Sequence, residues 1–587
     1  MSPDKMMSRS YKACGVFTVV CALVVGTYAY MAQSGLLELL GSSAADSYYN
    51  LLVRGFAAGH LNLEKEVPHG LAQLPDPYDP AASAPYRLLP YRLHDLSYYR
   101  GKLYLYHGVT PALLLFWPVA ALTGRFLLHR EAVLIFSAIG FLASAGLLHA
   151  LWRRYFVEVN AMLVASCALA LGLATGVPVL LSQADVYQVP IACGYMLTML
   201  ALGAIWCALH NPEKRGKWLA AASLAYGLAV GARPTLLFGA VILLVPVVQA
   251  RQERISVAVP LLSAIVPVTL IGLGLMLYNF LRFENPFEFG MRYQLSGVRQ
   301  IGQQHFSLRY LWFNSRVYFL EPARWSDHFP FVKDAVCPPV PSGHSNVERP
   351  FGVLTNVPVV LAALAIPLIW KPQFKQSSST LRWFIAAVIL LFVSSALTLG
   401  LFCGANFRYE TEFLPSLLLL AVTGILIVER AMANRSIYRQ LFRCAFGVTL
   451  VLSIAFNLLA SVVPHAQAHN ILGFQLFQDG KLSQAINQYQ QALRLDPDYV
   501  RAHRNLGLAE SDLGRTQEAI EQFEQTLRLD SNDVKAEYGL AAVLERTGRT
   551  SDAIIHYRQA LKLKPDLIEA QSALARLQPL QQDKTAR

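Results

Sequence analysis

The feature that most constrains this chain is a series of apolar segments that recurs from residue 14 to residue 463. An α-helix needs about 20 apolar residues to cross the hydrocarbon core of a bilayer. Charged residues make up 15% of the sequence, whereas soluble domains carry roughly 25%. The chain is therefore predicted to be a polytopic membrane protein, which excludes an ordinary cytosolic enzyme, a disordered chain and a disulfide-stapled secreted module. The apolar segments are 14–33, 109–124, 131–152, 159–181, 187–209, 217–232, 235–250, 257–281, 353–370, 382–402, 412–428 and 445–463.

Short basic clusters separate these segments and predict how the chain is oriented. Lys and Arg are enriched in cytoplasmic loops, and the basic clusters all fall on that side only if segment 109–124 does not cross. Pro111 and Pro118 interrupt this segment, as expected of a re-entrant or surface-lying helix. We therefore predict about 11 spans in the cytoplasmic (inner) membrane, with the N-terminus in the cytoplasm. The clusters are Arg153-Arg154, Lys214-Arg215 with Lys217, Arg251 with Arg254, Lys371 with Lys375, and Arg430, Arg435, Arg439 and Arg443.

This orientation places the long connections 34–108 and 282–352 on the outer face, together with the C-terminal region. The membrane domain is predicted to comprise residues 1–465. The net charge of +12 is spread over the loop clusters, and a nucleic-acid site needs basic residues concentrated on one surface, so nucleic acid is excluded as a partner. Most of the cysteines lie in apolar segments, and only Cys337 and Cys403 could meet an oxidising environment.

A sequence period of 34 residues begins near residue 466. Gly480, Gly514 and Gly548 follow this spacing, as do the aromatic residues Tyr489, Phe523 and Tyr557. The pattern resembles the tetratricopeptide repeat, which implies stacked helical hairpins and an all-α solenoid over 466–580, followed by a tail over 581–587. Two functions remain open for this region: a groove that binds a partner or acceptor, or a rigid appendage. The predicted repeats are 466–499, 500–533 and 534–567.

The first long connection contains the carboxylate that best suits acid–base chemistry. Asp46 stands shortly after the first apolar segment and begins an amphipathic stretch with Leu51, Leu52 and Phe56 on one face. A carboxylate held beside apolar neighbours has a raised proton affinity, which suits a general base. His94-Asp95, later in the same connection, could bind a metal or orient a base, although such a pair is more often a loop hydrogen bond.

Several residues resemble those of multispanning GT-C glycosyltransferases, which use polyprenyl-phosphate-linked sugars. Asp46 matches the acidic residue of their first external loop, and Asp185 matches a second acidic residue in the next short external loop. Arg233, within Gly231-Ala232-Arg233-Pro234, and Arg408, within Arg408-Tyr409, match the basic residues near outer helix ends.

The resemblance implies a role for each of these residues. Asp46 would be the catalytic base, while Arg408 and Arg233 would bind the lipid phosphate. The alternatives are that Asp185 only caps the following helix and that the arginines only extend toward the membrane surface. The first connection lacks the paired Asp-x-Asp or Glu-x-Asp pattern, so the metal is unknown and a divalent ion stays open as a cofactor.

These observations predict a glycosyltransferase that moves a hexosyl or pentosyl group from a polyprenyl-phosphate carrier to an extracytoplasmic protein or glycan acceptor. The combination with external repeats is similar to that of eukaryotic transmembrane O-mannosyltransferases, and the repeats would recruit the acceptor. A non-catalytic membrane scaffold that presents the repeats is the alternative. A transporter or flippase is disfavoured, because its marks are paired charges at mid-membrane and two similar halves.

Overall fold

The computed structural model describes residues 3–33, 44–87, 91, 93–327, 329–333, 337–348, 350–371 and 379–585. Residues 34–43 of the first predicted external connection, Lys375 and the end of the predicted tail therefore lie outside the described residues. The chain forms two compact units: the first ends at Ser461, and the second consists mainly of the residues from Val462 onward, with the short segment Asp327–Pro330 assigned to it as well.

The first unit is helical, as predicted, and helices lie within each of the apolar segments. Three proline-containing segments include 3₁₀ or π turns, since proline removes a backbone donor, whereas α12 continues through Pro267. The α-helices are α1 Pro3–Met31, α2 Tyr48–Ala57, α3 His69–Ala72, α4 Ala84–Arg87, α5 Trp117–Thr123, α6 His129–Tyr155, α7 Ala161–Leu173, α8 Val177–Ser182, α9 Gln188–His210, α10 Arg215–Ala232, α11 Val245–Gln252, α12 Ala258–Phe283, α13 Leu308–Phe319, α14 Val353–Asn356, α15 Ser379–Leu401, α16 Leu414–Ala431 and α17 Ser436–Ala460. The other helical segments are Ala44–Asp46, Ala112–Phe116, Pro212–Lys214, Pro234–Leu244, Met291–Tyr293, Pro358–Trp370 and Phe407–Glu412.

Among the described residues, 7 helical stretches are long and apolar enough to cross a bilayer. Four shorter apolar helices accompany them, including Ala112–Thr123, which lies within the segment predicted not to cross. At a rise of about 1.5 Å per residue, that helix spans roughly half of the hydrocarbon core. The long stretches are His129–Tyr155, Gln188–His210, Pro234–Gln252, Ala258–Phe283, Ser379–Leu401, Leu414–Ala431 and Ser436–Gln478.

Short strands in the connections fix the loops between the helices. β1 (Leu96–Tyr99) and β2 (Lys102–Leu105) form an antiparallel hairpin, with Leu96 opposite Leu105. Its turn, Arg100-Gly101, has φ values of 47° and 75°, a left-handed geometry that matches strand twist. β3 (Arg324–Trp325) pairs with β4 (Val332–Lys333), and β5 (Asn346–Glu348) pairs in parallel with β6 (Gly404–Asn406).

The second unit is a stack of helical hairpins that follows the 34-residue period. Gly480, Gly514 and Gly548 each take a positive φ after the first helix of a hairpin, where a left-handed residue ends the helix. A Cβ at Gly473 would lie 2.6 Å from the ring of buried Tyr489, so this glycine lets the paired helices approach closely. The helices are α18 Val462–Gln478, α19 Leu482–Leu495, α20 Val500–Asp512, α21 Thr516–Leu529, α22 Val534–Arg546, α23 Thr550–Leu563 and α24 Ile568–Thr585.

One buried carboxylate interrupts the apolar packing of this unit. Glu510 is buried in α20 at the position that Leu476 and Leu544 occupy in the neighbouring repeats, and its Oε2 has no hydrogen-bond partner. Burial, followed by the negative charge of Glu518, raises the pKa of Glu510 from its ordinary value of 4.5 to about 7. The folded unit therefore holds this proton more tightly than the unfolded chain does, and stability is lost as the pH rises toward and through 7.

We expect Glu510→Leu to stabilise the second unit at pH 8 by roughly 1–3 kcal/mol, the cost of an unsatisfied buried polar group. Amide hydrogen-exchange protection in the full-length protein measures this effect. The wild type should be less protected at pH 8 than at pH 5, and the variant should lose that difference. Glu524→Leu, at an exposed position of α21, is the control, and an equal gain from both variants would contradict the prediction.

Candidate functional site

The candidate site is built around Tyr409, whose ring lies between two arginines. The guanidinium carbon of Arg233 is 5.0 Å from the ring centroid, and that of Arg408 is 6.0 Å from it. Arg233 directly follows α10, whereas Arg408 and Tyr409 lie in the 3₁₀ segment Phe407–Glu412 before α16. The fold thus brings together the two basic residues that sequence analysis selected separately.

Arg233 belongs to a closed ion pair. Its Nε and Nη2 atoms donate to Oε1 of Glu412 at 2.8 and 2.5 Å, and the Thr235 hydroxyl donates to Oε2 at 2.8 Å. The side chains of Arg233 and Glu412 are 16% and 4% exposed. Both carboxylate oxygens of Glu412 therefore already accept hydrogen bonds. The pair also joins the end of α10 to the segment that carries Arg408.

Arg408 is as buried as Arg233, but its glutamate partner is much more exposed. Its Nη2 donates to Oε2 of Glu348 at 2.9 Å, and its guanidinium carbon lies 4.9 Å from the ring centroid of Tyr187. The Asn406 side chain accepts from the backbone N–H of Arg408 at 3.1 Å and so caps the 3₁₀ segment. Arg408 is 16% exposed, but Glu348 is 44% exposed, so this pair reaches solvent on the glutamate side.

Tyr187 couples Arg408 to a carboxylate of the first connection. Its hydroxyl donates to Oδ2 of Asp95 at 2.5 Å, and Nε2 of His94 lies 3.5 Å from the same oxygen. Asp95 has a φ of 59°, a conformation that non-glycine residues adopt rarely and that often marks a functional position. Cation, aromatic ring and carboxylate therefore form a continuous chain of contacts.

Two neutral polar side chains complete this cluster. Burial and the positive charges of Arg233 and Arg408 hold the pKa of His107 well below its ordinary value of 6.5. Burial, followed by the negative charge of Asp95, raises the pKa of Tyr106 above 10. At neutral pH the imidazole and the phenol are uncharged, so they add hydrogen-bonding capacity without adding charge.

The other acidic candidates lie at the edge of the cluster. Oδ1 of Asp185 accepts from the backbone N–H of Val186 at 2.6 Å and lies 3.8 Å from Nδ1 of His129. These contacts place Asp185 in the turn that leads into α9, two residues before Tyr187. The carboxylate does not cap α9 itself, because the N-cap residue of α9 is Tyr187 and, among the described residues, no side chain caps the first turn of that helix.

Asp46 is in a different environment from the apolar one expected. Its carboxylate is 51% exposed and lies 3.5 Å from Nη1 of Arg54, which makes the pair a surface ion pair. The segment that carries it is nevertheless tied to the cluster, because the Tyr48 hydroxyl donates to the carbonyl of His94 at 3.0 Å. The amide of Asn50 also donates to the carbonyls of Ala44 and Leu127, at 2.7 Å each.

Sequence analysis missed the partners of the arginines. Glu348 and Glu412 were not selected, although Glu412 follows Arg408 by four residues, a spacing that could have indicated a local charge cluster. Among the residues that the structure describes, no group of three or more His, Cys, Asp or Glu side chains is arranged to hold a metal ion. Cys337 and Cys403 are both free thiols.

A small cavity of about 10 Å³ adjoins the Arg233–Glu412 pair. Half of its lining residues come from α9, and the lining mixes apolar side chains with hydroxyl groups and the charged pair. The remaining lining residues are Ile191, Gly194, Tyr195, Thr198, Met199, Leu236, Thr411 and Pro415.

Comparison with known proteins identifies the second unit. The TPR repeat family matches residues 473–514, and the tetratricopeptide repeat family matches residues 506–568. The C-terminal unit consists of tetratricopeptide repeats. Solved structures of other repeat domains each align with about a fifth of the chain. No curated protein matches the chain.

Three solved structures illustrate this similarity. The first TPR of Spaghetti (RPAP3) bound to an HSP90 peptide is 23% identical, with 20% of this chain and 91% of that one covered and a TM-score of 0.19. The Arabidopsis OM64 TPR domain is 23% identical, with 20% and 96% covered and a TM-score of 0.20. MamA is 24% identical, with 19% and 66% covered and a TM-score of 0.19.

Gly108 and Gly231 allow the first connection to approach the end of α10 closely. A Cβ at Gly108 would lie 2.2 Å from the carbonyl oxygen of Ala232, and one at Gly231 would lie 2.5 Å from Oγ1 of Thr110. The backbones therefore meet directly, which places Tyr106 and His107 beside Arg233.

Gly108→Ala should displace this connection and destabilise the first unit by roughly 1–3 kcal/mol, as overpacking does. Thermal unfolding of the purified protein in detergent checks the change. Gly203→Ala in α9 is the control, since a Cβ there meets nothing within 4 Å and alanine favours a helix. Equal midpoints for the two variants would show that the close approach is unimportant.

Proposed function

We propose that this chain is a membrane glycosyltransferase that moves a sugar from a polyprenyl-phosphate carrier to an extracytoplasmic acceptor. The observation that carries the proposal is the contact of Arg408 with Tyr187, whose hydroxyl donates to Asp95. A cation suited to the leaving phosphate is thereby coupled through one ring to a carboxylate that holds this ring in place. The apolar helices of the same unit supply a membrane environment for the carrier.

The proposed reaction is a single displacement. The acceptor hydroxyl oxygen attacks the anomeric carbon of the sugar while the bond from that carbon to the phosphate oxygen breaks. A carboxylate takes the hydroxyl proton, and the bonding electron pair leaves with the phosphate. Attack opposite the leaving group inverts the anomeric configuration.

Arg408 is the residue that would stabilise the departing phosphate. A guanidinium presents several N–H donors to phosphate oxygens and stays charged at any physiological pH. Arg233 is already held on two sides by Glu412, so it acts as a positioning residue in this proposal. The neutral His107 and Tyr106 would add hydrogen bonds near the phosphate.

The proposed orientation places the site and the tetratricopeptide repeats on the outer face of the cytoplasmic membrane. The basic connections would then lie in the cytoplasm, as the charge bias requires. The repeats would recruit a protein or glycan acceptor. Reporter fusions to the connections and the C-terminus test this topology.

Arg408→Gln should reduce sugar transfer by about 100-fold or more. The substitution removes a charged hydrogen-bond donor that would stabilise the negative charge developing on the leaving phosphate. Transfer from a radiolabelled polyprenyl-phosphate sugar in membranes is the measurement. Arg299→Gln is the control, since Arg299 forms an exposed pair with Asp76. Full activity in Arg408→Gln would remove the phosphate role and favour a scaffold that presents the repeats.

Asp46 and Asp95 are distinguished by separate readouts. Asp46 is the base implied by the family resemblance, and an amide cannot accept the hydroxyl proton. Asp46→Asn is therefore expected to lower the transfer rate by about 10²–10⁴-fold while donor binding persists.

Asp95→Asn should weaken donor binding, because it alters the hydrogen-bond partner of Tyr187, the residue whose ring contacts Arg408. Intact transfer by Asp46→Asn would assign the proton transfer elsewhere, and Asp79→Asn, in an exposed turn, serves as the control.

A further inference from the structure

The two arginine–glutamate pairs of the site differ in a way that suggests separate tasks. Glu412 is 4% exposed and accepts hydrogen bonds at both oxygens, from Arg233 and from Thr235. Glu348 is 44% exposed, and its Oε2 accepts from Arg408 and from Asn406. The first pair is enclosed by protein, whereas the second borders solvent.

The backbone of Glu348 is fixed even though its side chain reaches solvent. Glu348 is the last residue of β5 and lies opposite Asn406 of β6. The neighbouring Ser345 N–H donates to the carbonyl of Cys403 at 2.7 Å, which fastens the start of the same segment. A rotation about the side-chain bonds of Glu348 would withdraw its carboxylate from Arg408 and from the Asn406 amide, while the backbone pairing of β5 with β6 stays in place.

A buried arginine requires an anion beside it at every stage of a reaction cycle. Removing one partner of a buried ion pair leaves an uncompensated charge, which is strongly unfavourable. Arg408 is mostly buried on the rings of Tyr187 and Tyr409, so water cannot fully replace a counter-ion.

We propose that Glu348 is an exchangeable counter-ion whose carboxylate occupies the phosphate position on Arg408 until the lipid phosphate displaces it. This inference rests on the proposed function and adds a specificity device to the same site. Only an anionic ligand can replace the carboxylate without leaving Arg408 unpaired, so neutral lipids are rejected.

The exchange also favours release of the product. The donor is a phosphodiester with one negative charge, whereas the product monoester carries about 1.5 to 2 negative charges near pH 7. Without competition, the product would bind Arg408 more tightly than the donor does. Return of the Glu348 carboxylate to Arg408 opposes this retention. Glu348 therefore lowers the affinity of Arg408 for both the donor lipid and the product lipid.

The test compares binding of farnesyl phosphate and inorganic phosphate to the full-length protein in nanodiscs, by calorimetry. Glu348→Gln keeps the shape of the side chain and removes its charge, and we expect it to bind farnesyl phosphate about tenfold more tightly than wild type. Glu348→Ala should change affinity in the same direction. Glu284→Gln is the matched control, because Glu284 forms an exposed pair with Arg100 and should bind as wild type does.

The outcomes separate the exchange from the proposed function. Tighter binding by both Glu348 variants, abolished by adding Arg408→Gln, supports the exchange. Equal or weaker binding by both variants, with normal wild-type binding, overturns the exchange and leaves the glycosyltransferase proposal standing. Absence of farnesyl phosphate binding in every protein, wild type included, overturns both. Binding of inorganic phosphate with the same affinity as farnesyl phosphate would identify a free-phosphate site and contradict the lipid assignment.

Discussion

The buried ion pair between Arg233 and Glu412 is the interaction on which the rest of the site depends. It joins residues 179 positions apart in the chain and fixes the end of α10 against the segment before α16. Loss of either partner would leave a buried charge, at a cost of about 3–5 kcal/mol. Because Arg408 and Tyr409 lie within that segment, the position of the second arginine follows from the first pair. The enclosed pair thus positions the arginine to which we assign the phosphate role.

The separation of roles between the two arginines explains how a charged site exists beside apolar helices. A charge at such a boundary is stable only when it is paired, and a paired charge is normally not available to bind a substrate. Here one pair is satisfied at every carboxylate oxygen and serves as framework, while the other borders solvent through Glu348. Tyr187 and Tyr409 supply faces that accept a guanidinium without further ions.

The sequence was sufficient to predict the helices and the repeats, because apolar length and a 34-residue period are local signals. It also identified Arg233, Arg408, His94 and Asp95, which the fold brings into one cluster. It could not predict that Asp95 would meet Tyr187, 92 residues away, or that Glu348 would meet Arg408 across 60 residues. Such contacts depend on how helices pack, which composition does not encode. For the same reason, Asp46 was expected among apolar neighbours and instead contacts Arg54.

The direct contact between Gly108 and the backbone at Gly231 and Ala232 has a consequence for how this protein can diverge. Gly108 cannot acquire a side chain unless the opposite backbone moves, whereas a side chain at Gly231 first meets the Thr110 hydroxyl, so the two positions and Thr110 should vary together among relatives. Any relative that carries a larger residue in place of Gly108 must have reshaped the first connection. Where both glycines persist, the spacing between His107 and Arg233 should persist as well, even if the repeats change completely.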